Sequence, residues 1–314
     1  MIALTGGKTG GHIMPLIALA KQLDNPCYVG ASNSLEEQLC KKHHIFFIGM
    51  SLTKNSVFQI LKSSFHLKLK NVDAIISTGG YVSLPLLLYG VRHHIPIYLL
   101  EENVVMGKTN HLLSFFAKKV FLTYELPKMK KKYEVVGLPV LTKNITNKYT
   151  SLGIDILVIG GSLGSKPLCD LAEALSQKYK VCLIAGRYAG SHQASSLMTY
   201  EFVDDLPSLM AASKLVISRA GASTTYEIFS LQRPCILVPS MKTSKNHQYL
   251  NALYFEKKGC CKMLKEKDAL QTAEKLIDEL LSSPEQILNM RMNQKKLVVY
   301  DSVEKILNAI EGKQ

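Results

Sequence analysis

The chain has 314 residues, of which 47% are hydrophobic and 20% are charged, and its formal net charge is +13. This length suggests two domains of ordinary size, and the composition excludes collagen-like, low-complexity and wholly disordered proteins. The longest nearly unbroken apolar stretch, 82–91, is too short to span a bilayer, and the N-terminus lacks the pattern of a secretory leader. Seven scattered cysteines without a C-x-x-C pair indicate reduced thiols, so we expect a cytosolic protein.

Short aliphatic stretches alternate with longer amphipathic stretches along the first half of the chain. Strands are predicted at 2–4, 27–29, 45–48, 74–77, 97–100, 120–122 and 135–136. Helix-like sequence or turn residues separate them, and this alternation predicts a parallel sheet. The polar stretch TKNITNKYTS at 142–151 interrupts the pattern and is the predicted interdomain linker.

A second series of strands and helices follows the linker. Strands are predicted at 156–159, 181–185, 215–218 and 235–238, and helices at 268–281 and 284–299. The predicted fold class is therefore α/β, with two tandem Rossmann-like domains. We divide the chain into an N-terminal domain, 1–141, and a C-terminal domain, 142–298. A last helix at about 299–314 is the candidate for packing back onto the N-terminal domain.

The positive charge is concentrated in the first half of the chain. Residues 1–140 carry 16 Lys and Arg against 8 Asp and Glu, whereas the remaining residues carry 22 against 17. A basic surface attracts nucleic acid, anionic lipid headgroups and phosphorylated ligands alike, so the charge alone does not select a partner.

Three glycine-rich loops directly follow predicted strands: TGGKTGGH at 5–12, TGGYVS at 78–83 and GGSLGS at 160–165. Glycine permits positive φ and close backbone approach, and a following helix offers free N–H groups to an anion. The first loop matches neither G-x-G-x-x-G nor the P-loop pattern. Any one loop is equally well explained as a tight turn, but the three together favour anion binding. A fourth segment, SRAGASTTYE at 218–227, adds hydroxyls and one carboxylate.

These segments, in this order, resemble the MurG family, the peptidoglycan N-acetylglucosamine (GlcNAc) transferases that make lipid II. The matching segments are GGKTGGHIMPLIALA, STGGYVSLP, GGSLGS, ISRAGASTTYE, RPCILVPS and NHQYLNALYFEKKG. Glu101-Glu102-Asn103, followed by Gly107-Lys108-Thr109-Asn110, is similar to the HEQN and GLTN stretch of the family. The resemblance implies the GT-B glycosyltransferase architecture, in which two Rossmann-like domains face a central cleft.

The resemblance also implies an activity: inverting transfer of GlcNAc from UDP-GlcNAc to the muramyl sugar of undecaprenyl-linked lipid I, which gives lipid II. The N-terminal domain would handle the acceptor and the membrane, and the C-terminal domain would bind the UDP-sugar. The expected partners are UDP-GlcNAc, lipid I and an anionic membrane surface, with other cell-wall synthesis proteins as further candidates and without nucleic acid. We expect peripheral attachment at the cytoplasmic face of the cell membrane.

We expect no cofactor and no metal, because the chain lacks an Asp-x-Asp pair and clustered His and Cys residues. His12 is the catalytic candidate, since an imidazole with its ordinary pKa near 6.5 is mostly neutral and can accept the proton of a sugar hydroxyl. The alternative is that His12 contacts the acceptor diphosphate or caps its helix.

The turn at 162–165 offers N–H groups and hydroxyls to the leaving diphosphate, and the Glu227 carboxylate suits two ribose hydroxyls. The alternative for Glu227 is an interaction with the helix dipole. The expected donor-binding residues are Thr9, Gly10, Gly11, Asn103, Ser162, Gly164, Thr224, Glu227, His247, Gln248 and Asn251. The expected acceptor-binding residues are Gly79, Gly80, Tyr81 and Asn103.

Two residues depart from the family pattern: Leu141 stands where an arginine is usual, and Leu163 where a glutamine is common. Two alternative functions stay open. One is another GT-B enzyme, such as a UDP-GlcNAc 2-epimerase or a glycolipid glycosyltransferase. The other, which the two departures motivate, is a non-catalytic paralog that binds UDP-sugar or lipid.

The segment 57–70 is predicted to be a helix with one apolar stripe, formed by Phe58, Leu61, Phe65 and Leu69. Lys62, His66 and Lys70 would follow the edge of that stripe. The alternative is a stripe that packs on the sheet. Because this half carries more charge, we expect membrane contact by Phe58, Leu61, Lys62, Phe65 and Lys70.

Overall fold

The structure is a computed structural model that describes residues 1–7, 9–52, 57–142, 145–161, 163–191, 196–241 and 246–313. The chain divides into two compact units. The first unit comprises Met1–Val140 with Val299–Gln314, and the second comprises Leu141–Val298.

The described part of the first unit contains a parallel β-sheet in the order β3-β2-β1-β4-β5-β6-β7. Its strands are β1 (Ile2–Gly6), β2 (Cys27–Ala31), β3 (Phe46–Met50), β4 (Ala74–Gly79), β5 (Ile97–Glu101), β6 (Lys119–Leu122) and β7 (Tyr133–Val135). Its helices are α1 (Gly10–Ala20), α2 (Leu35–Lys42), α3 (Val57–His66), α4 (Leu84–Arg92), α5 (Lys108–Leu113) and α12 (Ser302–Glu311). Within this unit α12 reaches the sheet, because the Tyr98 hydroxyl donates to the Ile310 carbonyl at 3.5 Å.

The core of the first unit lies between the sheet and its helices. The central strands are apolar on both faces, as expected for a parallel sheet covered by helices. Ile75 and Leu99 from the sheet pack with Leu86 and Leu87 of α4 and Leu113 of α5, and all five are buried. This packing fixes the carboxyl ends of the strands, where the glycine loops begin.

The described part of the second unit contains a parallel sheet in the order β10-β9-β8-β11-β12-β13. Its strands are β8 (Ile156–Ile159), β9 (Val181–Ile184), β10 (Leu197–Tyr200), β11 (Leu215–Ser218), β12 (Cys235–Leu237) and β13 (Lys262–Met263). Its helices are α6 (Lys166–Leu175), α7 (Leu206–Ala211), α8 (Ala222–Ser230), α9 (His247–Lys257), α10 (Ala269–Leu281) and α11 (Pro284–Leu297). The predicted α/β class with two Rossmann-like sheets is confirmed.

Several predicted elements differ from the observed ones. The sequence did not predict β10 and β13, which lie at the two edges of their sheet and are at most partly apolar. Helix α1 begins at Gly10, so two glycines of low helix propensity lie in its first turn. Helix α3 ends at His66, so the predicted helix through Lys70 was too long.

Within the described ranges, no helix is long and apolar enough to cross a membrane.

Candidate functional site

The first site lies at the carboxyl ends of β1, β4 and β5, which are neighbours in the sheet of the first unit. Each strand is followed by one of the segments that the sequence singled out. Because parallel strands end at the same edge of a sheet, the segments 9–12, 79–83 and 101–110 lie side by side. The fold therefore brings together His12, the second glycine loop and the Glu101-Glu102-Asn103 stretch.

The first loop leads directly into α1. Thr9 is the N-cap residue in extended conformation, and it makes no capping bond through its side chain to the described residues. Gly10 and Gly11 begin the helix, and His12 lies in its first turn. The Thr78 hydroxyl of β4 donates to the His12 carbonyl at 2.7 Å and so anchors this turn to the sheet.

His12 contacts a buried carboxylate. Its Nδ1 lies 3.3 Å from Glu102 Oε1, and the side chains of His12 and Glu102 are 31% and 2% exposed. Burial lowers the pKa of His12, but the charge of Glu102, its hydrogen bond and the charge of Glu101 together raise that pKa above its usual value. Burial raises the pKa of Glu102, while His12 opposes this effect. The expectation of an ordinary, unperturbed pKa for His12 is thus corrected.

Glu101 organises the loop after β5. Its Oε1 accepts hydrogen bonds from the backbone and side-chain nitrogens of Asn103, both at 3.1 Å. Its Oε2 accepts from the Gly107 backbone and the Asn110 side chain, both at 2.9 Å. Glu101 is therefore a structural residue, and Asn103, predicted to bind both substrates, is held by it. Sequence analysis quoted this stretch for its resemblance but assigned no role to Glu101 or Glu102.

The second loop adopts a conformation that requires glycine. Gly79 and Gly80 have φ of +88° and +85°, a region that other L residues rarely occupy. A Cβ on Gly79 would also lie 2.7 Å from Asn110 Oδ1. Tyr81 follows as the first residue of a short 3₁₀ helix, Tyr81–Ser83, and is half-buried. The three predicted acceptor residues are thus adjacent to the segment that contains Asn103.

The third loop lies at the carboxyl end of β8 in the second unit and leads into α6. Gly161 and Gly164 have φ of +82° and +71°, and the Gly164 N–H donates to the Gly161 carbonyl at 3.0 Å, which closes the turn. Ser162, a predicted donor-binding residue, lies outside the described residues. Leu163 is 61% exposed, so it makes little packing contact of its own.

Glu227 lies in the second turn of α8 rather than in the first turn. The alternative that Glu227 interacts with the helix dipole is weakened, because the dipole mainly affects charges within the first turn of a helix. Burial raises the pKa of Glu227 to about 7, although its side chain retains some exposure. Thr224, one turn earlier in the same helix, is also half-buried.

The predicted donor-binding residues on α9 are held differently from one another. His247 begins the helix and is half-buried. The Ser240 N–H donates to Gln248 Oε1 at 2.9 Å. Asn251 is 1% exposed and donates to the Ala220 carbonyl at 3.2 Å. Asn251 therefore supports the loop before α8, and its burial leaves its side chain little exposed surface for the predicted donor contact.

The described part of the chain contains no metal site formed by cysteine, histidine or acidic side chains. All seven cysteines are free and buried. Burial raises the pKa of Cys27 to about 11 and that of Cys182 to about 12, so these thiols are unreactive. Among the described residues, no group of three or more His, Cys, Asp or Glu side chains is arranged to hold a metal ion.

Helix α3 turns apolar side chains towards solvent. Phe58, Leu61 and Phe65 are 73%, 45% and 67% exposed, which contradicts the alternative of a stripe packed on the sheet. Lys62 is also exposed. Lys70 lies beyond the end of the helix, so its predicted place on the helix edge was wrong.

A second exposed apolar surface was missed by sequence analysis. Leu112, Phe115 and Phe116, at the end of α5 and just after it, are 67%, 80% and 52% exposed. The Lys132 ammonium donates to the Phe115 carbonyl at 3.0 Å, so the lysine-rich segment 128–132 lies beside these rings. The signal in the sequence is the adjacent aromatic pair followed by the KMKKK stretch.

Comparison with known proteins gives one consistent result. Residues 2–122 match the glycosyltransferase family 28 N-terminal domain, and residues 155–306 match the C-terminal domain of that family. Two curated proteins are named UDP-N-acetylglucosamine–N-acetylmuramyl-(pentapeptide) pyrophosphoryl-undecaprenol N-acetylglucosamine transferase. One, from Sulfurihydrogenibium sp., is 30% identical, with 98% of this chain and 97% of the relative covered. The other, from Bacillus cytotoxicus, is 31% identical, with 99% and 98% covered.

Solved structures show the same fold. MurG from Acinetobacter baumannii aligns with a TM-score of 0.76 and 24% identity over 99% of both chains. The calicheamicin glycosyltransferase CalG4 aligns with a TM-score of 0.71 and 13% identity, over 99% of this chain and 97% of the other. The matched domains and the near full-length relatives agree with the motifs at the two sites. The chain therefore belongs to the MurG family of N-acetylglucosaminyltransferases, within glycosyltransferase family 28.

Proposed function

We propose that this protein transfers GlcNAc from UDP-GlcNAc to the muramyl sugar of lipid I, with inversion at the anomeric carbon, and so produces lipid II for peptidoglycan. The observation that carries the proposal is its 30% and 31% identity to relatives of that named activity across 98% and 99% of the chain. The test is transfer of radiolabelled GlcNAc from UDP-GlcNAc to purified lipid I. Labelled lipid II supports the proposal, whereas UDP-GlcNAc binding without transfer would indicate a non-catalytic paralog.

His12 is proposed as the general base of the reaction. The proton of the acceptor hydroxyl passes to the imidazole while the hydroxyl oxygen bonds to C1 of GlcNAc. The bond between C1 and the diphosphate oxygen breaks, and UDP leaves with the bonding electrons. A single displacement of this kind inverts the configuration. The position of His12 beside the loops that contain Gly79, Gly80 and Asn103 supports an acceptor site in the first unit.

The UDP part of the donor is proposed to bind the second unit. The start of α6 offers N–H groups and the positive end of a helix dipole to the diphosphate. Glu227 and Thr224 lie on α8, which follows the neighbouring strand β11. A carboxylate there suits the two ribose hydroxyls, since it accepts two hydrogen bonds at once. We expect transfer without a metal, because helix dipoles and N–H groups can stabilise the leaving group.

Peripheral membrane attachment is proposed for the first unit, at the cytoplasmic side, where lipid I would be the lipid-linked substrate. The exposed residues Phe58, Leu61 and Phe65 would insert among headgroups, and Lys62 would contact anionic lipid. The exposed rings of Phe115 and Phe116 beside a lysine-rich segment offer the same combination of apolar and basic groups.

A further inference from the structure

His12 and Glu102 come from different strand ends and meet across β4. His12 follows β1, Glu102 follows β5, and both strands are neighbours of β4. The backbone on each side is anchored. Thr78 holds the His12 carbonyl at 2.7 Å, and four hydrogen bonds to the adjacent Glu101 hold the loop that begins at Glu102. The contact of 3.3 Å between Nδ1 and Oε1 is therefore a product of the fold.

The chemistry of the two groups fixes the direction of their hydrogen bond. An ionised carboxylate can only accept, so the Nδ1 that faces it must carry the proton. In neutral His12 the other ring nitrogen, Nε2, then has the free lone pair. Glu101 cannot replace Glu102 in this role, because both of its oxygens already accept hydrogen bonds from the loop.

Other ionisable groups surround the pair. Glu101 adds negative charge to both members. Tyr28 of β2 is buried, donates its hydroxyl to the Gly6 carbonyl at 2.5 Å and has a raised pKa, because of burial and the charges of Cys40, Glu36 and Glu102. Glu36 of α2 is itself 2% exposed. The charges that act on His12 itself are those of the Glu102 and Glu101 carboxylates, and both favour the imidazolium that forms once the base has taken its proton.

We infer that Glu102 is a positioning residue that holds His12 in the Nδ1–H tautomer, so that Nε2 accepts the proton of the substrate hydroxyl. Glu102 itself takes no proton in this step. It orients the ring before transfer and stabilises the imidazolium after it. The inference rests on the proposed role of His12 as the base, but its first test does not require activity.

The first test is NMR titration of the protein labelled with ¹⁵N-histidine and free of substrate. The His12 signal is assigned by its disappearance in His12→Ala. In the wild type we expect a non-protonated Nε2 in the neutral form and protonation at a higher pH than for an ordinary histidine. In Glu102→Gln we expect the proton affinity of His12 to fall by about tenfold or more. The glutamine amide can also donate to Nδ1, which would move the proton to Nε2.

Two further variants complete the set. Glu102→Asp retains a carboxylate and should keep the raised proton affinity and the Nδ1–H tautomer. Glu125→Gln removes an exposed carboxylate from the loop after β6 and should change neither. If Glu102→Gln fails to fold, Glu102→Ala takes its place, because it also removes the carboxylate that contacts His12 and should lower the proton affinity of the ring. An unchanged tautomer and titration of His12 in a folded variant that lacks the carboxylate, Glu102→Gln or Glu102→Ala, would overturn the inference.

The second test is the pH dependence of GlcNAc transfer. We expect Glu102→Gln to lower kcat by roughly 10- to 100-fold, with little change in KM for UDP-GlcNAc, and to shift the acidic limb of the profile to lower pH. A purely structural role would not shift that limb. If the wild type transfers no GlcNAc, the proposed function fails while the NMR result still stands. If the wild type is active and Glu102→Gln has the wild-type profile, only the role of Glu102 fails.

Discussion

Arg219 donates a hydrogen bond to the Ser165 hydroxyl at 2.6 Å and so connects the fourth predicted segment to the N-cap of α6. The same guanidinium donates to the Val238 carbonyl at 3.0 Å and forms a close ion pair with Glu266. The side chain of Arg219 is only 12% exposed. The largely buried Arg219 side chain therefore connects three loops at the carboxyl ends of the strands of the second sheet. We propose that UDP binds at this edge.

We predict that Arg219→Met destabilises the second unit. The substitution leaves the partly buried Glu266 carboxylate and the Ser165 hydroxyl without this donor, and the loss of charge-assisted hydrogen bonds costs about 1.5–3 kcal/mol. Urea unfolding measures the change. The control is Lys214→Met, which breaks an ion pair with Asp155 in which the lysine is 68% exposed, and which should cost at most about 1 kcal/mol. Equal losses in the two variants would show that Arg219 does not organise this edge.

His12→Ala should abolish the base while leaving the donor site intact. We expect turnover to fall by roughly 100-fold or more, the usual range for loss of a general base, with UDP-GlcNAc binding nearly unchanged. Single-turnover transfer to lipid I and calorimetry with UDP-GlcNAc measure the two effects. The matched control is His111→Ala, because His111 is an exposed histidine on α5 of the same unit. Turnover of His12→Ala within a few-fold of wild type would remove His12 from this role.

Glu227→Ala should weaken UDP binding, because a charge-assisted contact to the ribose is lost. The expected loss is about 1.5–3 kcal/mol, or roughly ten- to hundredfold in Kd. Calorimetry with UDP measures it, and Glu285→Ala, at an exposed acid on α11, is the control. A Kd that does not change in a folded Glu227→Ala variant would reject the ribose contact.

The pH dependence of UDP binding gives an independent test of Glu227. Its pKa of about 7 means that the carboxylate is mostly protonated at pH 6 and mostly ionised at pH 8. Because the ionised form is the better acceptor, UDP affinity should increase over this range by more in the wild type than in Glu227→Gln, whose remaining pH dependence reports the terminal phosphate of UDP, with a second pKa of about 6. The folded protein binds this proton up to a higher pH than the unfolded chain does, so Glu227 should also lower the free energy of unfolding as pH rises from 4.5 to about 7.

The sequence predicted the central strands well, because a strand that is buried on both faces is a continuous run of apolar residues in the sequence. The strands 156–159 and 215–218 were predicted with their observed ends. Edge strands such as Leu197–Tyr200 carry a weaker signal, since only part of the strand is buried. The contact between His12 and Glu102 could not be derived from local pattern, because it joins residues 90 positions apart through the strand order. The environment of Asn251 likewise could not be derived from α9 alone, because its side chain donates to the Ala220 carbonyl, 31 positions away in the loop before α8.

We predict that GlcNAc transfer continues in the presence of EDTA. The basis is the absence of an Asp-x-Asp pair from the sequence, together with a helix start that can supply positive potential to the leaving diphosphate. The measurement is the initial rate of transfer with EDTA, compared with the rate after Mg²⁺ is restored. A rate that falls at least tenfold with EDTA and recovers with Mg²⁺ would contradict this expectation.

Membrane attachment should depend on both exposed apolar surfaces of the first unit. Phe58→Ser/Leu61→Ser/Phe65→Ser and, separately, Phe115→Ser/Phe116→Ser should each reduce cosedimentation with phosphatidylglycerol vesicles, because each removes exposed apolar area beside lysines. Added salt should weaken the binding of the wild type, since each lysine near an anionic surface contributes only about 1 kcal/mol and is screened.

The matched control is Leu270→Ser/Leu288→Ser/Met292→Ser, which removes side chains that are 62%, 57% and 47% exposed on the second unit. If the control loses as much binding as the α3 variant, the attachment is not specific to the first unit. If a folded α3 variant binds as well as the wild type, this helix is not the anchor.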